Sequence, residues 1–247
     1  MDVSLLKSFW SKLFPSDIVF IIFAFVGINI LRFMGDYYHA IYLVVVGFII
    51  MWIMPVVFLT KSGRRKIGIT LPSSWFWTLF SFVIGFIVAF IIYWAGYLLY
   101  GTGLENWGMS VVNEYLRQGH EVVTPQIVAI VVIPAMLFSP IGEEFFYRGI
   151  IMEVLRDTFS NRKVAEILSS IAFAVAHISH YDLVFSGRPF FEVFMPMLLF
   201  VVLMFFLSYV FIFARQKSGS IWGAVIAHAG SMLGLHLAVY FSILSTL

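Results

Sequence analysis

Apolar runs of about 20 residues, the length a helix needs to cross a hydrocarbon core, recur seven times in this chain, at roughly 18–34, 40–59, 75–99, 126–148, 164–180, 192–213 and 220–243. Backbone N–H and C=O groups have no water partner in lipid, so such runs are predicted to be helices that satisfy their own hydrogen bonds. The residue balance agrees: 62% are hydrophobic and 11% charged, against roughly 45–50% and 25% in a soluble domain. The predicted fold is all-α, a polytopic membrane helix bundle of about seven transmembrane helices. No linker divides it, so residues 1–247 read as one integral membrane domain.

Two segments outside these runs carry helical periodicity. In MDVSLLKSFWSKLF, Leu6, Phe9, Trp10 and Leu13 share a stripe while Lys7 and Lys12 lie elsewhere, which predicts an interfacial helix over about 3–14. The small-residue cleavage site of a secretory signal is missing from it. Between 101 and 124, Trp107, Val111 and Tyr115 recur at spacing four and predict a helix on the membrane surface.

A formal charge of +2 implies no nucleic-acid partner. With no cysteine in the chain, disulfides, thiolate metal sites and a cysteine nucleophile are excluded. Lys and Arg fall unevenly between alternate loops. One set holds eleven (Lys7, Lys12, Lys61, Arg64, Arg65, Lys66, Arg156, Arg162, Lys163, Arg215, Lys217) and the other three (Arg32, Arg117, Arg188). The positive-inside rule then predicts a cytoplasmic N-terminus and a C-terminus on the opposite side.

The remaining cation, Arg148, stands inside the fourth run, in GEEFFYRG at 142–149. Ionisable groups within a span are costly and mark function or a compensating pair. Glu144 and Arg148 are four residues apart with the acid first, the favourable order for a helical ion pair. Glu143 is five residues from Arg148, about 140° around a 3.6-residue helix, so this spacing leaves it as the free carboxylate. Such a group in a poorly solvated site suits general acid–base work. Pro140, three residues upstream, is expected to disturb the helix here.

Two later runs bring histidines to similar depth. On a rise of about 1.5 Å per residue, Glu143, His177 and His228 lie roughly 18, 20 and 12 Å from the same end of their helices. Taken alone, each histidine has a plainer reading as a hydrogen-bonded helix bridge. Around His228, Gly223, Ala227, Gly230, Gly234 and Ala238 read as close-packing faces. His180 and His236 are second candidates, and His39 and His120 are assigned to loops or the interface.

In order and spacing these residues resemble the CAAX protease and bacteriocin-processing (Abi) family of intramembrane endopeptidases, whose pattern is EExxxR, then FxxxH, then HxxxN. Glu143, Glu144 and Arg148 match the first motif, Phe173 and His177 the second, and His228 opens the third, over roughly residues 126–240. The resemblance implies a glutamic-type peptide hydrolase in which Glu143 and His177 activate water and His228 stabilises the oxyanion. Glu144, Arg148 and Phe173 would be supporting residues, with Phe173 packed beneath the His177 imidazole. It implies a peptide or protein substrate, lipidated or leader-bearing; no cofactor is expected, and the site is expected to open toward the cytoplasmic side or the inner leaflet.

One position departs from the pattern: Met232 stands where the family has asparagine, and a thioether donates no hydrogen bond. Either another donor, with Ser231 the candidate, completes the site, or catalysis is weak or absent. A silent binding protein of the same fold is therefore one alternative. A zinc protease using two histidines and a glutamate is a second, weakened by the lack of HExxH spacing. A proton-coupled carrier is a third, although the strong polar signals are confined to the last four runs and show no repeated halves.

Overall fold

In the computed structural model, residues 5–117, 124–181 and 187–244 are described. The helices are α1 (Ser8–Leu13), α2 (Asp17–Tyr37), α3 (Ile41–Val57), α4 (Lys61–Lys66), α5 (Trp75–Tyr100) and α6 (Met109–Arg117). They continue with α7 (Pro125–Glu143), a π-helical segment (Glu144–Ile151), α8 (Met152–Phe159), α9 (Arg162–Ala176), a 3₁₀ turn (His177–His180), α10 (Phe190–Ser218) and α11 (Ile221–Ser242). The protein is an all-α helix bundle, as the apolar runs require.

Helix starts follow local chemistry. Ser74, Thr124, Asn161 and Ser220 precede α5, α7, α9 and α11 and accept from backbone N–H groups of the first turn, which satisfies donors a helix cannot satisfy internally. Pro125 begins α7, where its missing N–H costs nothing.

Among the described residues, five helices are long and apolar enough to cross a membrane: α2, α5, the continuous helix Pro125–Phe159, α10 and α11. The 40–59 run forms the 17-residue α3. The 164–180 run forms the 15-residue α9, about 22 Å long against a core of about 30 Å. α3 packs against α2 and α7, and α9 against α8 and α10. At one end Leu6 bridges Leu59, Lys66 pairs with Asp157, the Ser73 N–H donates to the Ser218 carbonyl and the Ile221 N–H to that of Gly68. These contacts gather the N-terminal segment and the Lys/Arg-rich turns at one end. At the other, the Tyr181 hydroxyl donates to the Glu105 carbonyl and Arg188 pairs with Glu105.

Phe9 and Leu13 of α1 are exposed, while Trp10 donates to the Val57 carbonyl and stacks near Phe58. This is the arrangement of an amphipathic helix docked on the bundle and facing outward. The 101–124 segment departs from its surface reading. Among the described residues its helix covers Met109–Arg117, and Trp107 and Tyr115 are buried. The Trp107 indole donates to the Ile92 carbonyl and stacks on Phe200. A stripe at spacing four is the same whether it faces lipid or protein, so periodicity could not distinguish the two.

The closest helix pair is α5 with α11. A Cβ at Gly85 would overlap the Ala227 carbonyl, and one at Gly230 would overlap that of Phe82. Small residues at such a crossing let backbones approach where lipid offers no hydrophobic drive. His228, next to Ala227, is fixed by that contact.

Candidate active site

Glu143 ends α7, and the chain then continues in π register through Glu144, Tyr147 and Arg148. Pro140 lies inside α7 and the backbone changes register four residues later. π segments in α-helices occur frequently at functional sites. Both carboxylates are buried, at 1% and 0% exposure, so each requires compensation.

Glu144 receives it as the spacing predicts. Arg148 Nη1 lies 3.1 Å from Glu144 Oε1, and the same oxygen accepts from His228 Nδ1 at 2.8 Å. Arg148 is also held over the Phe173 ring at 3.9 Å and the Phe211 ring at 5.0 Å, in cation–π contact. Phe211 in turn stacks on the His228 imidazole, with centroids 4.6 Å apart at 15°.

Glu143 differs from expectation, because it is not a free carboxylate. Arg32 of α2 lies 3.0 Å away and is itself fully buried. Arg32 had been counted among loop cations, yet it stands within α2, five residues before the helix ends. The loop set facing the basic end therefore keeps Arg117 and Arg188.

His177 closes the arrangement. Its Nδ1 donates to the Phe173 carbonyl at 2.8 Å, and its ring packs on Phe173 with centroids 4.2 Å apart. A neutral imidazole donating from Nδ1 carries its lone pair on Nε2. That Nε2 lies 3.8 Å from Glu143 Oε2, a gap that one water donating to both atoms would bridge.

These groups line a cavity of about 570 Å³ that contains Glu143, His177, His228, Ser231, Met232 and His236 on its wall, otherwise largely apolar. Glu144 and Arg148 stand behind the wall. The Ser231 hydroxyl donates to the His228 carbonyl at 2.7 Å, so its proton is engaged away from the cavity. His236 Nδ1 meets the Tyr115 hydroxyl at 3.1 Å. His39 lies in the turn between α2 and α3, and His120 is outside the described residues. Among the described residues no group of three or more His, Asp or Glu side chains is arranged to hold a metal ion.

None of the residues lining the cavity belongs to the basic end of the bundle. Asp36, Ile41, Trp107 and Ser110 line its outer part, and these lie toward the end that carries Glu105 and Arg188.

Sequence comparison agrees with this geometry. Residues 125–233 match the family described as type II CAAX prenyl endopeptidase Rce1-like. Over this region, 109 of the 247 residues, the chain is similar to that Rce1-like family. The match begins at Pro125 of α7 and ends just beyond Met232, so it spans every motif residue named above and leaves Arg32 outside. The long apolar helices make the chain an integral membrane protein, and the match indicates an intramembrane protease with a peptide substrate. No curated protein and no solved structure matches the chain.

Proposed function

We propose that this protein is a metal-independent, glutamic-type intramembrane endopeptidase in which Glu143 and His177 activate water and His228 stabilises the oxyanion. The observation that carries the reading is the 3.8 Å approach of His177 Nε2 to Glu143 Oε2 on the wall of a buried cavity. A water donating to both acceptors would direct its lone pair at a peptide carbonyl in the cavity. As the water attacks, its proton passes to Glu143 or His177 and is then available to the leaving amine. His228 gives Nδ1 to Glu144, so it donates to an oxyanion from Nε2 as the imidazolium, which the Glu144 carboxylate supports. The Arg32 guanidinium beside Glu143 argues against zinc, since it occupies and neutralises the carboxylate a metal would need. Activity lost to chelator and regained with zinc would overturn this.

For orientation, we infer a cytoplasmic N-terminus and a C-terminus on the opposite side, from the excess of Lys and Arg at one end. The cavity then faces away from the cytoplasm, which favours exported or leader-bearing peptides over prenylated C-termini. The chain has no cysteine, so single substitutions Ser62→Cys and Thr102→Cys can be tested with an impermeant maleimide in intact cells. Labelling of Thr102→Cys alone supports the orientation, and labelling of Ser62→Cys alone reverses it.

The catalytic test is cleavage of a peptide library, farnesylated CAAX peptides included, by protein in nanodiscs. Loss of cleavage in both Glu143→Gln and His177→Ala, with the fold retained, is the expected result. A second reading is a catalytically silent binder, favoured by Met232 on the cavity wall together with the engaged Ser231 proton. A peptide that binds yet stays intact through long incubation would select it.

A further inference from the structure

A second concavity of about 570 Å³ lies at the opposite end of the bundle from the cavity mouth. Its walls carry Arg65, Lys66, Arg156, Arg162, Arg215 and Lys217, brought together from α4, α8, α9 and α10. Three carboxylates answer them. Glu153 pairs with both Arg156 and Arg215, Asp157 with Lys66, and Glu166 with Arg162. A fourth carboxylate, Asp17, also acts on Lys66, so six cations against four acids leave an excess of two positive charges around one recess. The loop-charge bias alone would spread these cations over the surface rather than converge them on one recess. The first residues of α9 and α11, Arg162 and the cap Ser220, also line it, and helix N-termini add positive potential toward an anion.

Its level in the membrane is marked by aromatic residues. Lys217 Nζ sits 5.3 Å from the Trp77 ring and 5.6 Å from Phe213. Beside Trp77 in the first turn of α5, Trp75 and Phe76 are exposed. Exposed Trp near a span end belongs to the aromatic belt at headgroup depth.

We propose that this recess binds a phosphate-bearing anion, and that the anion is the headgroup of an anionic phospholipid. Arg65, Arg162 and Lys217 project from the rim and would contact the phosphate. Arg215 forms the floor, held by Glu153 at 2.9 Å and donating to the Arg148 carbonyl. A bound headgroup is thereby tied to the π segment that carries Glu144, so occupancy should stiffen the active-site helix.

The test uses purified full-length protein and needs no peptidase activity. Native mass spectrometry is run with phosphatidylglycerol and with phosphatidylcholine, and thermal unfolding with those lipids and with inorganic phosphate. The expected result is a retained phosphatidylglycerol adduct and a raised Tm, with phosphatidylcholine doing neither. The triple variant Arg65→Gln/Arg162→Gln/Lys217→Gln should lose on the order of a hundredfold in lipid affinity, at about fivefold per surface cation. Adduct retention by the wild type should also fall with salt, since the Debye length shrinks from about 10 Å at 0.1 M to about 3 Å at 1 M. Equal binding of both lipids, unchanged affinity in the folded triple variant, or salt-insensitive retention overturns the proposal. Stabilisation by inorganic phosphate without a lipid adduct overturns the lipid as the source.

Discussion

Arg32 of α2 lies 3.0 Å from Glu143 at the end of α7, and both side chains are buried in the bundle. The pair joins a residue outside the family-matched region to the carboxylate assigned as general base. Removing one partner of a buried pair leaves an uncompensated charge, at a cost of about 3–5 kcal/mol. Arg32→Met is therefore expected to lower stability by that order in reversible unfolding in detergent. Arg32→Met/Glu143→Gln should recover much of the loss, because no buried charge is then left alone. A double variant as unstable as Arg32→Met would mean that the pair contributes little.

Glu144 holds His228 through Nδ1 and is held in turn by Arg148. If it positions and charges the oxyanion donor, Glu144→Gln should reduce kcat by about 10²- to 10⁴-fold with KM little changed. Glu144→Asp, which keeps the charge, should recover part of the rate. A variant that shifts KM and stability alone would reduce Glu144 to a packing role.

What the sequence made legible follows the reach of its local rules. The Glu144–Arg148 pair was readable because both residues lie on one helix, where spacing determines proximity. Phe173 beneath His177 was readable for the same reason. Arg32 was not, since its partner is 111 residues away. The rule that an ionisable residue within an apolar run needs a partner holds at position 32 as at 148, but it does not say where in the chain that partner lies. Trp107 and Tyr115 were recognised as a stripe but assigned to lipid, because only tertiary packing decides which surface a stripe meets. The cavity's direction was unreadable for a related reason, since depth along a helix does not say toward which end a void continues.

The α5–α11 crossing gives a paired prediction. Ala in place of Gly in a helix gains up to about 1 kcal/mol in propensity. At Gly27 nothing lies within 4 Å of the added Cβ, so Gly27→Ala should be neutral or slightly stabilising. At Gly85 the Cβ overlaps the Ala227 backbone, so overpacking of about 1–3 kcal/mol should outweigh that gain. Because Ala227 adjoins His228, Gly85→Ala should also lower kcat. Equal unfolding midpoints for the two variants would contradict the tight crossing.

At the opposite end from the basic recess, a hydrogen bond from Arg188 holds the Glu105 carboxyl below its ordinary value of 4.5. An acid with a depressed folded pKa contributes stability that is fully present above the unfolded value and is lost as pH falls through the folded one. Arg188→Gln should therefore lower Tm slightly at pH 7. The difference from wild type should close as pH drops below 4.5, and should shrink with salt because the pair is partly exposed to solvent. A Tm difference that persists unchanged in acid would assign the effect of Arg188 to something other than this pair.

Met232 offers the most direct test of catalysis. It lines the cavity one helical turn beyond His228, where the family pattern places asparagine, and Ser231 has its proton on the His228 carbonyl. In the proposed mechanism the oxyanion's donor on α11 is therefore His228 alone. Loss of an oxyanion donor typically costs on the order of 10²–10³ in rate, so Met232→Asn should raise kcat by up to about 10²-fold. KM should change little, because the added hydrogen bond acts on charge that develops only in the transition state. The gain should vanish in Glu143→Gln/Met232→Asn, since a better oxyanion site cannot act without an activated water. A Met232→Asn protein that folds and binds peptide but cleaves no faster would show that the amide does not reach the oxyanion, and would move the weight to the silent binder.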